Sequence, residues 1–160
     1  MHKIFHFDRR NYMKVSTKGR YGLRALVDLT INSEVSHVSL ISIAERQNIS
    51  SNYLEQVFAA LRKAGIVKSI KGSQGGYILA DKPANITVAQ IIKVLEGDFN
   101  IADETIYEDG EQDNIQLAVQ SLVWDRVNKE MTEIFNSVTL EQLANEYRKL
   151  NADTRTMYYI

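Results

Sequence analysis

The sequence predicts a mainly α-helical chain with one small β-hairpin, arranged as a winged helix-turn-helix followed by a long C-terminal helix. Three observations carry that prediction. Leu54, Val57, Phe58 and Leu61 recur at i, i+3, i+4 and i+7, the buried stripe of an amphipathic helix, and Gly65 stands where such a helix stops. Directly behind it, two short runs at 66–70 and 77–79 flank a basic, glycine-rich turn, the pattern of strand, tight turn and strand. Further on, Ile115, Val119, Val123, Val127, Met131, Ile134 and Val138 fall at steps of four, four, four, four, three and four, which marks one long helix.

Taken in order, residues 1–12 show no period and are expected to be a disordered extension, with Met13 as a second candidate start. The winged module is expected over 13–97. Its first helix runs from Thr17 to Asn32 with Tyr21, Ala25, Leu26 and Leu29 on one face. Ser39 caps a short helix from Leu40 to Gln47, with Ile43 and Ala44 inward. After a tight turn at 48–50, a helix from Ser51 to Ala64 completes the helix-turn-helix. In the wing, Gly72, Gly75 and Gly76 are expected to supply positive φ. Pro83 and Asn85 end the wing, and Thr87 caps a helix that reaches Glu96 and stops at Gly97. Residues 98–113 carry seven acidic and no basic side chains, an acidic loop. Over 114–160 the long helix is expected from Asn114 to Ser137. Thr139 and Gln142 then form a capping box for a last helix to about Lys149, and an apolar tail follows.

Composition narrows the function classes. With no cysteine among 160 residues there is no disulfide, thiolate metal site or thiol nucleophile. No apolar run approaches the ~20 residues of a membrane-spanning helix, and the first residues lack the pattern of a signal peptide, so a cytoplasmic location is expected. The net charge of −1 hides an asymmetry: residues 1–78 carry 12 Lys/Arg and 5 Asp/Glu, residues 79–160 carry 7 and 15. A front half at +7 beside a back half at −8 points to a polyanion meeting only the front half.

The residues of that front half suit double-stranded DNA. Ser50, Ser51, Asn52, Tyr53, Glu55 and Gln56 crowd the start of the second helix of the motif, the end that enters a major groove. Asn and Gln pair with adenine, and Glu accepts from cytosine. Lys68, Lys71, Gly72, Gln74 and Gly75 form a wing suited to phosphates or a minor groove, and Lys14, Lys18 and Arg20 offer a further phosphate grip. A nucleotide-binding loop is disfavoured, because the glycines lack a following Gly-Lys-Ser/Thr and lead into a strand. Catalysis finds no nucleophile–base pair. His2 and His6 share a metal-compatible spacing but sit in the irregular N-terminal segment, and the acidic loop lacks the spacing of a calcium loop, so no metal site is expected. Trp124 reads as a packing residue. The long-helix stripe, Ile115 to Val138, is expected to pair with its counterpart in a homodimer, unless the last helix folds back to cover it. A two-fold dimer sets paired recognition helices ~34 Å apart for a pseudo-palindromic operator.

Residues 16–21, 50–56, 61–67 and 71–77 together resemble the signature of the IscR/CymR family of bacterial winged-helix regulators. The resemblance covers 13 to about 97 well and the helical tail more loosely. It implies that Asn52 and Glu55 read bases, that Tyr53 and Gln56 hold the backbone, and that Lys71, where the family usually carries arginine, probes the minor groove. Many members hold an iron–sulfur cluster with three cysteines in the loop before the long helix. This chain has none, so no cluster or other cofactor is expected, and the likeness is to the cysteine-free branch of cysteine-metabolism repressors. That branch implies a regulator governed by a partner protein or metabolite. The tail Tyr158, Tyr159 and Ile160 is then a partner-binding segment for cysteine synthase (O-acetylserine thiol-lyase). The alternative function is a winged-helix protein-interaction module that does not bind DNA.

Overall fold

The computed structural model describes residues 15–98, 100–103 and 113–157, with only the backbone of 155–157. The N-terminal extension with Lys14, most of the acidic loop, and the tail Tyr158–Ile160 lie outside the described residues.

Helix α1 spans Thr17–Asn32, α2 Leu40–Gln47 and α3 Ser51–Lys63. Serine caps all three, the Oγ of Ser16, Ser39 and Ser50 each accepting a first-turn N–H. Between α2 and α3 the chain reverses at Asn48, whose φ of 52° is a left-handed conformation that asparagine tolerates. Gly65, at φ 76°, ends α3 one residue beyond its C-cap. Strands β1 (Val67–Ile70) and β2 (Gly76–Leu79) pair antiparallel, Val67 opposite Leu79 and Ile70 opposite Gly76. A 3₁₀ turn at Pro83–Asn85 leads to α4, Val88–Glu96. Just before that turn, Asp81 accepts from the Lys82 N–H and from Asn85 Nδ2, and these bonds hold its carboxyl below the usual carboxylate range.

The core lies between α1, α3 and α4. Leu26, Leu29, Leu54, Phe58, Leu61 and Ile91 are completely buried, each contributing roughly 1.5–3 kcal/mol of transfer free energy. Glu96, at the end of α4, closes the start of α1: its Oε1 accepts from Ser16 Oγ and from the Gly19 N–H at 2.9 Å. A side chain at Gly19 would collide with that carboxylate.

The long helix forms as expected between Asn114 and Ser137, with one irregularity. Helix α5 (Asn114–Val119) passes through a π turn at Gln120–Trp124 into α6 (Asp125–Ser137). The last helix, α7, covers Leu140–Met157, two turns beyond the expected end at Lys149. No glycine or proline occurs after Lys149 to stop it. It begins with the expected capping box: Thr139 N–H donates to Gln142 Oε1 at 2.9 Å, and Gln142 N–H to Thr139 Oγ1 at 3.2 Å. Thr87 and Gln90 build a second box at the start of α4. The two boxes are bridged backbone to backbone, Val88 N–H to Val138 O at 2.9 Å and Leu140 N–H to Ile86 O at 3.0 Å.

From there α7 packs on α1, burying Leu140 and Ala144 in the core and pairing Arg148 with Glu34. It therefore covers α1 and leaves much of the long-helix stripe open. Ile115 is 73% exposed and Ile134 59%, with Val123 and Val127 also open. Val119, Met131 and Val138 are half-buried, as are Trp124 and Phe135 on the side toward the body of the chain.

Candidate nucleic-acid interface

Helix α3 divides cleanly. Leu54, Val57, Phe58 and Leu61 face the core, while Asn52, Glu55 and Gln56 lie on the exposed side, one turn apart and free of partners among the described residues. Ser50 serves as the N-cap, its Oγ accepting the Tyr53 N–H at 3.4 Å, and Ser51 is half-buried. Tyr53 is half-buried too, its ring edge-on to Tyr21 of α1 with centroids 6.1 Å apart. Arg24 completes this cluster. Its guanidinium lies 5.3 Å from the Tyr21 ring centroid and donates to the Gln47 carbonyl at 2.7 Å. The cluster braces the helix-turn-helix from the α1 side and sets a fixed positive charge close to the start of α3.

A second brace is buried. Asp28 of α1 is 4% exposed and accepts from Arg46 Nε and Nη2 at 3.0 and 2.6 Å and from Gln47 Nε2 at 2.8 Å. The bond to Asp28 raises the Arg46 guanidinium further above its ordinary range. These contacts fix α2 against α1, and hence where α3 begins. Neither Arg24 nor Asp28 was singled out from the sequence. The available signal was an aspartate inside the apolar face of α1, four residues beyond an arginine.

The wing is tied to α3 through Tyr77, near the turn end of β2. Tyr77 of β2 packs edge-on to Phe58, centroids 4.9 Å apart. Val38, ahead of α2, adds a two-bond bridge to the same residue, at 3.0 and 2.8 Å. Lys68, Lys71, Gly72 and Gln74 are exposed, and Gly75 is half-buried. Of the three wing glycines only Gly72 takes positive φ, at 130°. The expectation for Gly75 and Gly76 is corrected: they are small because the chain passes close by. A Cβ on Gly75 would meet the Ile70 and Gly72 carbonyls, and one on Gly76 would run into the backbone of Val38 and Ser39.

The structure thus brings Asn52, Glu55 and Gln56 together with the wing on one rigid frame. Arg20, exposed on α1, lines a groove of about 620 Å³ shared with α2 and α7, together with Arg24 and beside Leu143 and Tyr147. Lys18 is half-buried on the first turn of α1, where Ser16 and Glu96 already take the free N–H groups of Lys18 and Gly19. That helix start offers no open backbone donor at these two residues for a phosphate.

Comparison with known proteins agrees with this geometry. The model of the Rrf2 family, described as iron-dependent transcriptional regulators, matches residues 15–146. The CymR regulator of Bacillus subtilis is 44% identical over 133 residues, 83% of this chain and 91% of that protein. IscR of Escherichia coli is 35% identical over 143 residues, 89% of this chain and 87% of the relative. Among solved structures, CymR of B. subtilis, described as a global cysteine regulator, superposes with a TM-score of 0.71 at 42% identity, covering 84% of this chain and 98% of that one. IscR of T. potens gives 0.69 at 44% identity, over 84% and 88%. The chain has no cysteine to hold a cluster through thiolates, and among the described residues no three His, Asp or Glu side chains converge. Among those residues, too, no helix is long and apolar enough to cross a membrane. A winged helix-turn-helix with its recognition face open, matched along most of its length to transcriptional regulators, belongs to the Rrf2 family.

Proposed function

We propose that this chain is a cytoplasmic, homodimeric, sequence-specific DNA-binding regulator that represses cysteine and sulfur-metabolism genes, and that it is not an enzyme. The observation that carries the reading is the exposed face Asn52, Glu55 and Gln56, coupled through Phe58 and Tyr77 to a wing bearing Lys71. Asn52 and Glu55 read base edges, Tyr53 and Gln56 hold the backbone, and Lys71 enters the minor groove. The open part of the long-helix stripe supports the dimer. The cysteine theme rests on the B. subtilis relative. Without thiolates for a cluster, control passes to a metabolite or a partner protein, with cysteine synthase and the tail Tyr158–Ile160 as the pair to examine.

Fluorescence anisotropy on operator duplexes from cysteine-metabolism genes, run across a salt series, tests the central claim. Binding should weaken steeply, log K falling with log[salt] by ~0.9 per phosphate neutralised. Absence of binding, or binding indifferent to salt, overturns it. For the tail, deleting Ile160 should abolish capture of cysteine synthase, and unchanged affinity removes that partner.

A further inference from the structure

The wing tip is held at one point from outside the hairpin. Among the described residues, 71–75 make one hydrogen bond within the loop, Gly75 N–H to Gly72 O at 3.0 Å, and one beyond it, from His37 Nε2 to the Gln74 carbonyl. A carbonyl oxygen only accepts, so Nε2 must carry a proton.

His37 sits on the residue before Val38, which bridges to Tyr77, and two residues before Ser39, the cap of α2. The segment 37–39 therefore grips the hairpin twice, at the turn end of β2 through Val38 and in the turn itself through His37. Strand and turn are not equally secure. The start of β2 is locked by Tyr77 on Phe58 and by the missing side chain of Gly76, whereas the turn holds Gly72 at positive φ with Lys71 and Gln74 in solvent. A glycine-rich loop of this kind samples many conformations unless something outside it selects one.

We propose that His37 is a positioning residue for DNA binding: it fixes the wing tip so that Lys71 is aimed before DNA arrives. This rests on the DNA-binding reading given above. Its contribution is preorganisation, sparing the complex the entropy of ordering the tip. It touches no DNA itself in this role.

The test compares operator affinity and salt slope for the full chain and three variants, His37→Ala, His37→Gln and Lys71→Ala, together with the His37→Ala/Lys71→Ala pair. His37→Ala should weaken binding about two- to tenfold, the size of one net hydrogen bond, with the salt slope unchanged because Lys71 still reaches the DNA once the tip is ordered. The pair should bind no worse than Lys71→Ala alone, because a tip without its lysine has nothing left to aim. His37→Gln keeps an Nε2 donor and should recover most of the loss. Amide hydrogen exchange without DNA should quicken at 72–75 in His37→Ala and stay unchanged in α3. Unchanged affinity in His37→Ala, full additivity with Lys71→Ala, or faster exchange throughout α3 would each overturn the proposal while leaving DNA binding itself intact. If the unaltered chain fails to bind any operator, the functional reading fails first and the role of His37 with it.

Discussion

Two apolar stripes of similar periodicity meet opposite fates in this chain. In α3, Leu54, Val57, Phe58 and Leu61 are 1% exposed or less. Along α5 and α6, Ile115, Leu122, Val123, Val127 and Ile134 lie between 38% and 73% exposed. Periodicity states that a helix has an apolar face; it does not state which molecule supplies the cover. For α3 the cover is α1, α4 and the wing. For the long helix the nearest candidate, α7, turns to α1 instead. One stripe builds the fold and the other stays largely uncovered.

Substitutions separate the two. Phe58→Ala should cost most, about 3–5 kcal/mol, since it opens a cavity under both α3 and the wing; chemical denaturation would register it as a lowered midpoint with little change in slope. Ile134→Asp should leave the far-ultraviolet spectrum of the fold intact and instead lower the solution mass from dimer to monomer in sedimentation. A monomeric parent, or a monomeric and unfolded variant, would erase the contrast. Glu55→Ala, on the outer side of the covered helix, should leave stability within ~0.5 kcal/mol and relax preference at one base pair per half-site by ~1–3 kcal/mol in competition binding. Lys71→Ala is the mildest: nearly uniform weakening across sequences, with a salt slope reduced by about one.

Much of this was legible beforehand, for reasons that differ by element. Helix starts at Thr17, Leu40, Ser51, Val88 and Leu140 announce themselves, because serine or threonine stands immediately before each and its side chain answers a first-turn N–H. The exposed polar face of α3 was legible as the complement of a clean stripe. The contacts between elements were not. The burial of Asp28 depends on Arg46 and Gln47 arriving from another helix. Gly75 and Gly76 look like flexible turn residues until the carbonyls beside them are placed. Leu122 falls outside the four-residue steps of the long helix and lies in the π turn, yet is 66% exposed beside Val123 and Val127. Met131 and Val138, which fit the steps, turn half inward. The stretch beyond Lys149 carries no helix-breaking residue, and α7 runs on through it.

The bridge between the two capping boxes has a mechanical consequence. Val88, Val138, Ile86 and Leu140 weld the foot of the long helix to the start of α4, and the far end of α4 clamps α1 through Glu96. A torque applied to the long helix cannot be absorbed at its foot without pulling backbone hydrogen bonds apart. It is either relieved higher up, where the coil is already widened between Gln120 and Trp124, or delivered along α4 to the root of α1. Between that welded foot and Asn114, the π turn is the one departure from regular α geometry among the described residues of the long helix.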